Sequence, residues 1–120
     1  MINWTLWQYK NIVDSFLATC GLDMQEVLLR RLDLLSEKGI DTKRPISAPI
    51  GDKLFELRGK AKNREARLLY YFGENREVIF VHAIYKSGSA ISRHDKEIAL
   101  ANKRNVEEGR ESPHGLNLTH

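Results

Sequence analysis

The sequence predicts a single α+β domain in which a helical hairpin packs on a small antiparallel sheet and a short helix follows. Two observations support this class. Apolar residues recur at helical spacing in the first third of the chain, and three runs rich in β-branched and aromatic residues follow. A chain of 120 residues can form one hydrophobic core but not two ordinary domains. We therefore expect one domain over residues 1–104 and a polar, disordered tail over 105–120.

The chain is predicted to begin with a short strand and a first helix. Trp4 and Leu6 alternate with polar residues over 3–8, as in an edge strand. Apolar residues then take helical spacing over 10–19. Gly21 follows, and glycine readily adopts the left-handed backbone conformation that ends many helices.

A second helix is predicted over residues 24–38. Its apolar residues form one broad face, and Gly39 closes it. Helices joined by only a few residues usually pack antiparallel, so the two should form a hairpin. Leu29 and Leu34 lie off the apolar face and are candidates for contact with a partner.

Three strands are predicted after a loop over residues 40–52, which contains two prolines and a glycine. Neighbouring strands in sequence are expected to pair antiparallel, and a polar turn over 73–76 makes the last two a hairpin. The runs are KLFELR at 53–58, ARLLYYF at 66–72 and EVIFVHAIY at 77–85.

The last predicted element is a helix over residues 92–105. Ser89 or Ser92 is expected to cap its N-terminus, since a serine hydroxyl can accept a hydrogen bond from a first-turn amide. Its inward-facing residues are predicted to be Ile98, Leu100 and Ala101.

Composition limits the function classes. The single cysteine, Cys20, cannot form an internal disulfide, which favours a reducing compartment. The sequence shows no secretory signal and no apolar run long enough to span a bilayer, so a cytoplasmic protein without a membrane partner is expected.

Positive charge is concentrated in the middle of the chain. Residues 53–104 carry twelve Lys and Arg against six Asp and Glu, whereas the chain as a whole has a net charge of +3. An anionic partner would bind there. The alternative is an ordinary solvated basic surface.

The sequence contains no motif of a metal or nucleotide site. Its four histidines lack the spacing of a metal site, its glycines stand too far apart for a phosphate loop, and no local signature of a Ser-His-Asp triad is present. We therefore expect no metal and no cofactor. His82, in the middle of an apolar run, is expected to be a sheet histidine with satisfied hydrogen bonds.

Basic and aromatic side chains alternate in the strand region, a composition that suits unpaired RNA. Metal-free RNA cleavage needs groups that take and give protons and groups that neutralise the charge on phosphorus, and Arg, Lys, Tyr and His can supply them. The alternative for Arg58 and Arg67 is simple pairing with Glu56 or Glu65. Candidate RNA-binding residues are Lys60, Lys62, Arg64, Tyr70 and Arg93.

Several motifs, in this order, resemble the RelE/ParE superfamily of type II toxin–antitoxin toxins, and especially its phage-associated HigB-like branch. The resemblance covers roughly residues 3–104. The motifs are RRLDLLSEKG at 30–39, KLFELR at 53–58, ARLLY at 66–70, VHAIYKS at 81–87 and EIALA at 97–101.

This resemblance implies a microbial-RNase-like fold and a metal-independent endoribonuclease that cuts translated mRNA on the ribosome. It also implies inhibition by a cognate antitoxin, expected to be a helix-turn-helix protein of the HigA type. Arg67 would carry the largest share of catalysis and, as an exposed side chain, little stability. The implied catalytic residues are Arg58, Arg67, Tyr85 and Lys86.

The sequence departs from the family pattern at two places. Ala66 stands where an aromatic residue is common. Lys86 is followed by Ser87 rather than by a second lysine, and the expected Thr-Pro before the last helix is missing. His94 is placed to substitute as a proton donor or acceptor, or is a surface histidine at the start of a helix. Two other functions stay open, a gyrase poison and a non-catalytic RNA- or protein-binding module.

Overall fold

The computed structural model describes residues 3–86 and 90–117. Three helices and a six-stranded sheet lie within this part of the chain, which confirms the α+β class. In chain order the elements are β1 (Thr5–Gln8), α1 (Ile12–Thr19), α2 (Leu22–Lys38), a 3-10 turn (Gly39–Asp41), β2 (Ser47–Gly51), β3 (Leu54–Ala61), β4 (Arg64–Phe72), β5 (Glu77–Lys86), α3 (Arg93–Glu107) and β6 (His114–Gly115).

The sheet is mixed, whereas the sequence predicted an antiparallel one. Its strand order is β2-β3-β4-β5-β1-β6, and all neighbours are antiparallel except β1 and β5. β1 runs parallel to β5 with Thr5 opposite Glu77 and Gln8 opposite Phe80. It is also not an edge strand, since β6 pairs with its other side. Alternation along a strand predicts which residues are buried but not the direction of the neighbouring strand.

Helices cover both faces of the sheet. α1 and α2 pack on one face over a core that includes Leu28, Leu68 and Phe80, all fully buried. α3 packs on the opposite face, where its buried residue is Ala99. Of the predicted inward residues, Leu100 packs against this second core, whereas Ala99, the fully buried residue, was not predicted. Ile98, Leu100 and Ala101 are each partly buried.

The loop predicted over residues 40–52 was wrong in its second half. Ser47–Gly51 forms strand β2, which pairs with β3 and lies at the edge of the sheet. Pro49 is tolerated there because an edge strand has one side on which no ladder hydrogen bond is needed.

Part of the segment expected to be a disordered tail has regular structure. α3 extends to Glu107, and β6 adds to β1. The buried Gln8 side chain holds this segment, because its Nε2 donates to the Gly115 carbonyl at 3.0 Å and to the Asp14 carboxylate at 2.7 Å. These contacts join residues far apart in sequence, so local composition does not reveal them.

α2 approaches β3 most closely at Gly59. A β-carbon at this position would lie 2.6 Å from Leu28 Cδ2. Glycine therefore allows the helix to cross the strand at short distance, and this crossing brings the outer side of α2 next to the end of β3. Among the described residues no helix is both long and apolar enough to cross a membrane.

Candidate active site on the face of β3 and β4

The candidate site lies on the face of the sheet opposite α1 and α2. Successive residues of a strand point to opposite faces. On β3 and β4, Leu57 and Leu68 belong to the core under α1 and α2, so Arg58 and Arg67 belong to the other face. The register places these two arginines directly opposite each other. The structure thus brings together the first two predicted catalytic residues.

A buried carboxylate holds both arginines. Glu56 Oε2 lies 2.9 Å from Arg58 Nε, and Glu56 Oε1 lies 3.1 Å from Arg67 Nε. The Glu56 side chain is only 6% exposed. Each guanidinium group is therefore fixed through its Nε, and charge-assisted hydrogen bonds of this kind fix orientation as well as position.

Arg67 has two further contacts. Its Nη1 donates to the Ala66 carbonyl at 3.2 Å, whereas its Nη2 lies 3.6 Å from Glu65 Oε2, too far for a good hydrogen bond. The Arg67 side chain is 9% exposed. The expectation of an exposed arginine was wrong, because Glu56 on the neighbouring strand, Glu65 and the Ala66 carbonyl hold the side chain against the sheet. Its small effect on stability stays a prediction that this burial argues against. The pairing with Glu56 and Glu65, left open as an alternative, is observed.

A cavity of about 250 Å³ opens beside this pair, and we call it the arginine cavity. Arg58, with a side chain 28% exposed, contributes the more accessible guanidinium group. Four cationic side chains and one carboxylate line the cavity, so it favours an anion. The lining residues are Arg31, Pro45, Arg58, Gly59, Lys60, Glu65 and Arg67.

Lys60 and Lys86 extend the basic surface on the same face. Glu65 lies between them in register, opposite Lys60 on β3 and opposite Lys86 on β5. Lys60 is exposed, and Lys86 is partly buried. The following Ser87 and Gly88, where the sequence departs from the family pattern, lie outside the described residues.

Tyr85 lies on the opposite face of the sheet from Arg67. It is opposite Ala66, a residue of the core under α1 and α2, and its ring packs at a tilt against that of Phe16 on α1, with the ring centroids 4.7 Å apart. The Arg64 guanidinium lies over the same ring at 4.8 Å. The fold therefore separates Tyr85 from the other predicted catalytic residues on the strands.

Two predicted RNA-binding residues support the connection between α1 and α2. The Arg64 guanidinium donates to the carbonyl of Cys20, and Lys62 Nζ lies 3.0 Å from Asp23 Oδ2. Both side chains are at the β3–β4 turn, at the far end of the strands from Glu56. They form a second basic region rather than part of the arginine cavity.

Tyr70 is not available to stack on a base, which corrects its prediction as an RNA-binding residue. It is fully buried among Phe55, Phe72 and Phe80. Burial also raises the pKa of its hydroxyl group. An aromatic residue in a strand can face either side of the sheet. Here the pairing of β4 with β3 and β5 places the Tyr70 side chain in the core.

α3 begins with a hydrogen-bonded group that joins it to β5. The Asp95 backbone amide donates to Ser92 Oγ at 3.1 Å, which confirms Ser92 as the N-cap residue; Ser89 lies outside the described residues. His82 Nε2 lies 2.9 Å from Asp95 Oδ1, and this hydrogen bond is the main cause of the lowered pKa of Asp95. His82 is thus a satisfied sheet histidine, as expected.

The remaining predicted residues lie exposed at the start of α3. His94 is solvent-exposed, and Arg93 pairs with Glu97 across one helical turn at 3.3 Å. Within residues 3–86 and 90–117, no group of three His, Cys, Asp or Glu side chains is placed to hold a metal ion.

Sequence reasoning missed two contributors to the site. Glu56 appeared only as a possible partner for an arginine, although its position two residues before Arg58 puts both on one face of a strand. Arg31 comes from α2, and no local pattern indicates that this helix reaches the end of β3. The close crossing at Gly59 brings it there.

Comparison with known proteins identifies a family for the chain but no individual curated relative. A family model described as "Phage derived protein Gp49-like (DUF891)" matches residues 15–104, which include most of α1, all of α2, strands β2 to β5 and most of α3. This family consists of RelE-like, toxin-like proteins, and the match does not single out the HigB-like branch. The chain therefore belongs to the phage-derived Gp49-like family of toxin-like proteins.

Proposed function

We propose that this protein is the toxin of a type II toxin–antitoxin system and that it cuts mRNA without a metal ion. The observation that carries the proposal is the pair Arg58 and Arg67, held side by side through their Nε atoms by the buried Glu56. The Nη groups of Arg58 and the loosely held Nη2 of Arg67 are left for an anion at the arginine cavity. Membership of a toxin-like family supports a toxin rather than an ordinary RNA-processing enzyme.

The two arginines would hold the scissile phosphate and neutralise the charge that builds up on it in the transition state. An oriented guanidinium donor is most effective when it need not reorganise during the reaction. The 3.6 Å contact between Arg67 Nη2 and Glu65 is loose enough for a phosphate oxygen to replace it.

Glu65 and the flanking lysines can complete the reaction. The half-exposed Glu65 carboxylate would take the proton of the 2′-hydroxyl, whose oxygen then attacks phosphorus while the bond to the 5′-oxygen breaks. Lys60 or Lys86, one on each side of Glu65 in register, would protonate the leaving oxygen. The products are a 2′,3′-cyclic phosphate and a 5′-hydroxyl. His94 is the alternative proton donor.

The proposed partners follow from the same function. Translated mRNA on the ribosome would be the substrate, in the cytoplasm, and a cognate helix-turn-helix antitoxin of the HigA type would inhibit the enzyme. Growth arrest on expression, relieved by the antitoxin, is the expected cellular behaviour.

Induction of the protein in cells, with sequencing of RNA 5′ ends, tests the proposal. New 5′ ends within translated messages support it. Intact messages with accumulating DNA breaks would favour a gyrase poison instead, and no damage to either would favour a non-catalytic binding module. Incubation of the purified protein with RNA and EDTA tests the metal-independent chemistry, since the cyclic phosphate and 5′-hydroxyl ends should still form.

A further inference from the structure

A second depression, which we call the α2 groove, adjoins the arginine cavity. It has a volume of about 370 Å³ and is lined by Val27, Arg30, Arg31, Leu34 and Lys60. Arg31 and Lys60 also line the arginine cavity. The two depressions therefore share two of their cations.

The α2 groove combines aliphatic side chains with positive charge. Val27 and Leu34 are seven residues apart on α2, which is two helical turns. α2 also carries Asp23, Glu26, Asp33 and Glu37, yet no carboxylate lines the groove.

The charges in the groove are only partly compensated. Arg30 pairs with Glu26 on the exposed side of α2. Arg31 and Lys60 form no ion pair with the residues that the structure describes. A ligand with carboxylates could pair with both without displacing a group of the protein.

We propose that the α2 groove is the docking site of an acidic protein segment that carries aliphatic side chains at helical spacing. Aliphatic residues two turns apart match Val27 and Leu34, and the carboxylates between them match Arg31 and Lys60. An RNA strand suits this surface less well than the arginine cavity, because the aliphatic Val27 and Leu34 that line the groove offer no hydrogen bond to a phosphate or a base.

Docking in the α2 groove would inhibit the enzyme, a consequence that rests on the proposed function. A bound acidic segment pairs with Arg31 and Lys60, which removes two of the four cations available to RNA at the arginine cavity. The segment also covers the side of the cavity that these residues form. RNA and the acidic segment should therefore compete.

Fluorescence anisotropy on the full chain tests this inference with two labelled probes. One is a synthetic amphipathic peptide with leucines at i and i+7 and glutamates between them. The other is a single-stranded oligouridine. We expect the peptide to bind and a scrambled peptide of the same composition not to bind. Leu34→Gln and Arg31→Glu should each weaken peptide binding about tenfold or more, since both remove a central contact. Arg104→Glu makes the same charge change at an exposed position on α3 and should have no effect.

The outcomes separate this inference from the proposed function. Failure of the peptide to bind, or binding unchanged by Leu34→Gln, overturns the docking site. Leu34→Gln could instead weaken oligouridine binding as much as peptide binding without changing the melting temperature. The groove would then be an RNA-binding surface, and the docking-site proposal would be overturned. Competition between the two probes supports it. Peptide binding without any RNA cleavage would contradict the nuclease function and leave the docking site in place.

Discussion

Alternate residues of the same strands point to the two faces of the sheet, and the two faces have different roles. Under α1 and α2 the face is closed, and Leu57, Leu68 and Tyr70 are fully buried there. The other face is apolar only where α3 covers it. Beyond α3 it carries the fixed charges of Glu56, Arg58 and Arg67. The comparison shows that the same paired strands can form a hydrophobic core on one face and a polar site on the other. The polar site exists because α3 covers only part of its face.

Loss of Arg67 should have the largest effect of any single change on the open face. Arg67→Ala removes one oriented guanidinium group from the scissile phosphate, and loss of one such donor typically costs on the order of a hundredfold in rate. It also leaves the buried Glu56 with a single cation, so the free energy of unfolding should fall by roughly 1–3 kcal/mol. RNA cleavage and thermal melts measure the two effects separately.

Arg67→Lys is the matched control for this prediction. It keeps the positive charge beside Glu56 but not the two-pronged guanidinium group. We expect most of the stability to return and the cleavage rate to stay low. Full activity in a folded Arg67→Ala protein would remove this residue from the mechanism.

A change on the closed face should affect stability instead. Gly59→Ala places a β-carbon 2.6 Å from Leu28 Cδ2 in the core, and crowding of this kind typically costs roughly 1–3 kcal/mol. The adjacent Lys60→Ala lies on the open face at an exposed position and should change stability by less than about 0.5 kcal/mol. Urea unfolding of both variants tests the contrast. Equal stabilities would mean that α2 can move away from β3 at little cost.

The sequence predicted the elements whose signal is local. Helical spacing located α1 and α2, a serine cap and a set of apolar residues located α3, and runs rich in β-branched and aromatic residues located β3, β4 and β5, because each signal lies within the element itself. β2 and β6 were missed, since Pro49 and the glycine of β6 weaken the strand pattern and their pairing depends on distant residues. The burial of Arg67 likewise depends on the register between β3 and β4.

The prediction of the catalytic residues also overlooked a geometric constraint that the sequence itself contains. Tyr85 and Lys86 are neighbours on one strand, so they must point to opposite faces. One of them therefore had to lie away from Arg67. Which one did depended on the register of β5 against β4, and that register includes an irregularity after Leu69 that no local pattern shows.

Loss of the hydrogen bond between α3 and β5 should have a smaller effect on the free energy of unfolding, and this effect should depend on pH. The hydrogen bond from His82 lowers the pKa of Asp95 below its ordinary value of 3.8. A carboxylate with a lowered folded-state pKa stabilises the protein above its unfolded-state pKa and loses this contribution as pH falls through the folded value. Asp95→Asn should therefore be less stable by about 1 kcal/mol at neutral pH. The difference should begin to shrink as pH falls through the ordinary pKa of 3.8 and disappear only below the lower folded-state pKa. Melts across this range test it, and a difference that persists in acid would assign the effect to the N-cap alone.

The smallest expected effect concerns Tyr85. Tyr85→Phe keeps the ring that contacts Phe16 and Arg64 and removes only a hydroxyl group on a side chain that is 44% exposed. Because this ring lies on the opposite face from Arg67, we expect less than about a twofold change in RNA cleavage and less than about 0.5 kcal/mol in stability. The next residue, Lys86, lies on the same face of the sheet as the arginine cavity. Lys86→Met should lower the rate of RNA cleavage about tenfold or more, since it removes a cation and a proton donor next to Glu65. Single-turnover cleavage by the two variants makes the comparison direct. If Tyr85→Phe abolished cleavage while Lys86→Met did not, RNA would have to reach the face under α1, and the open face would lose its role as the active site.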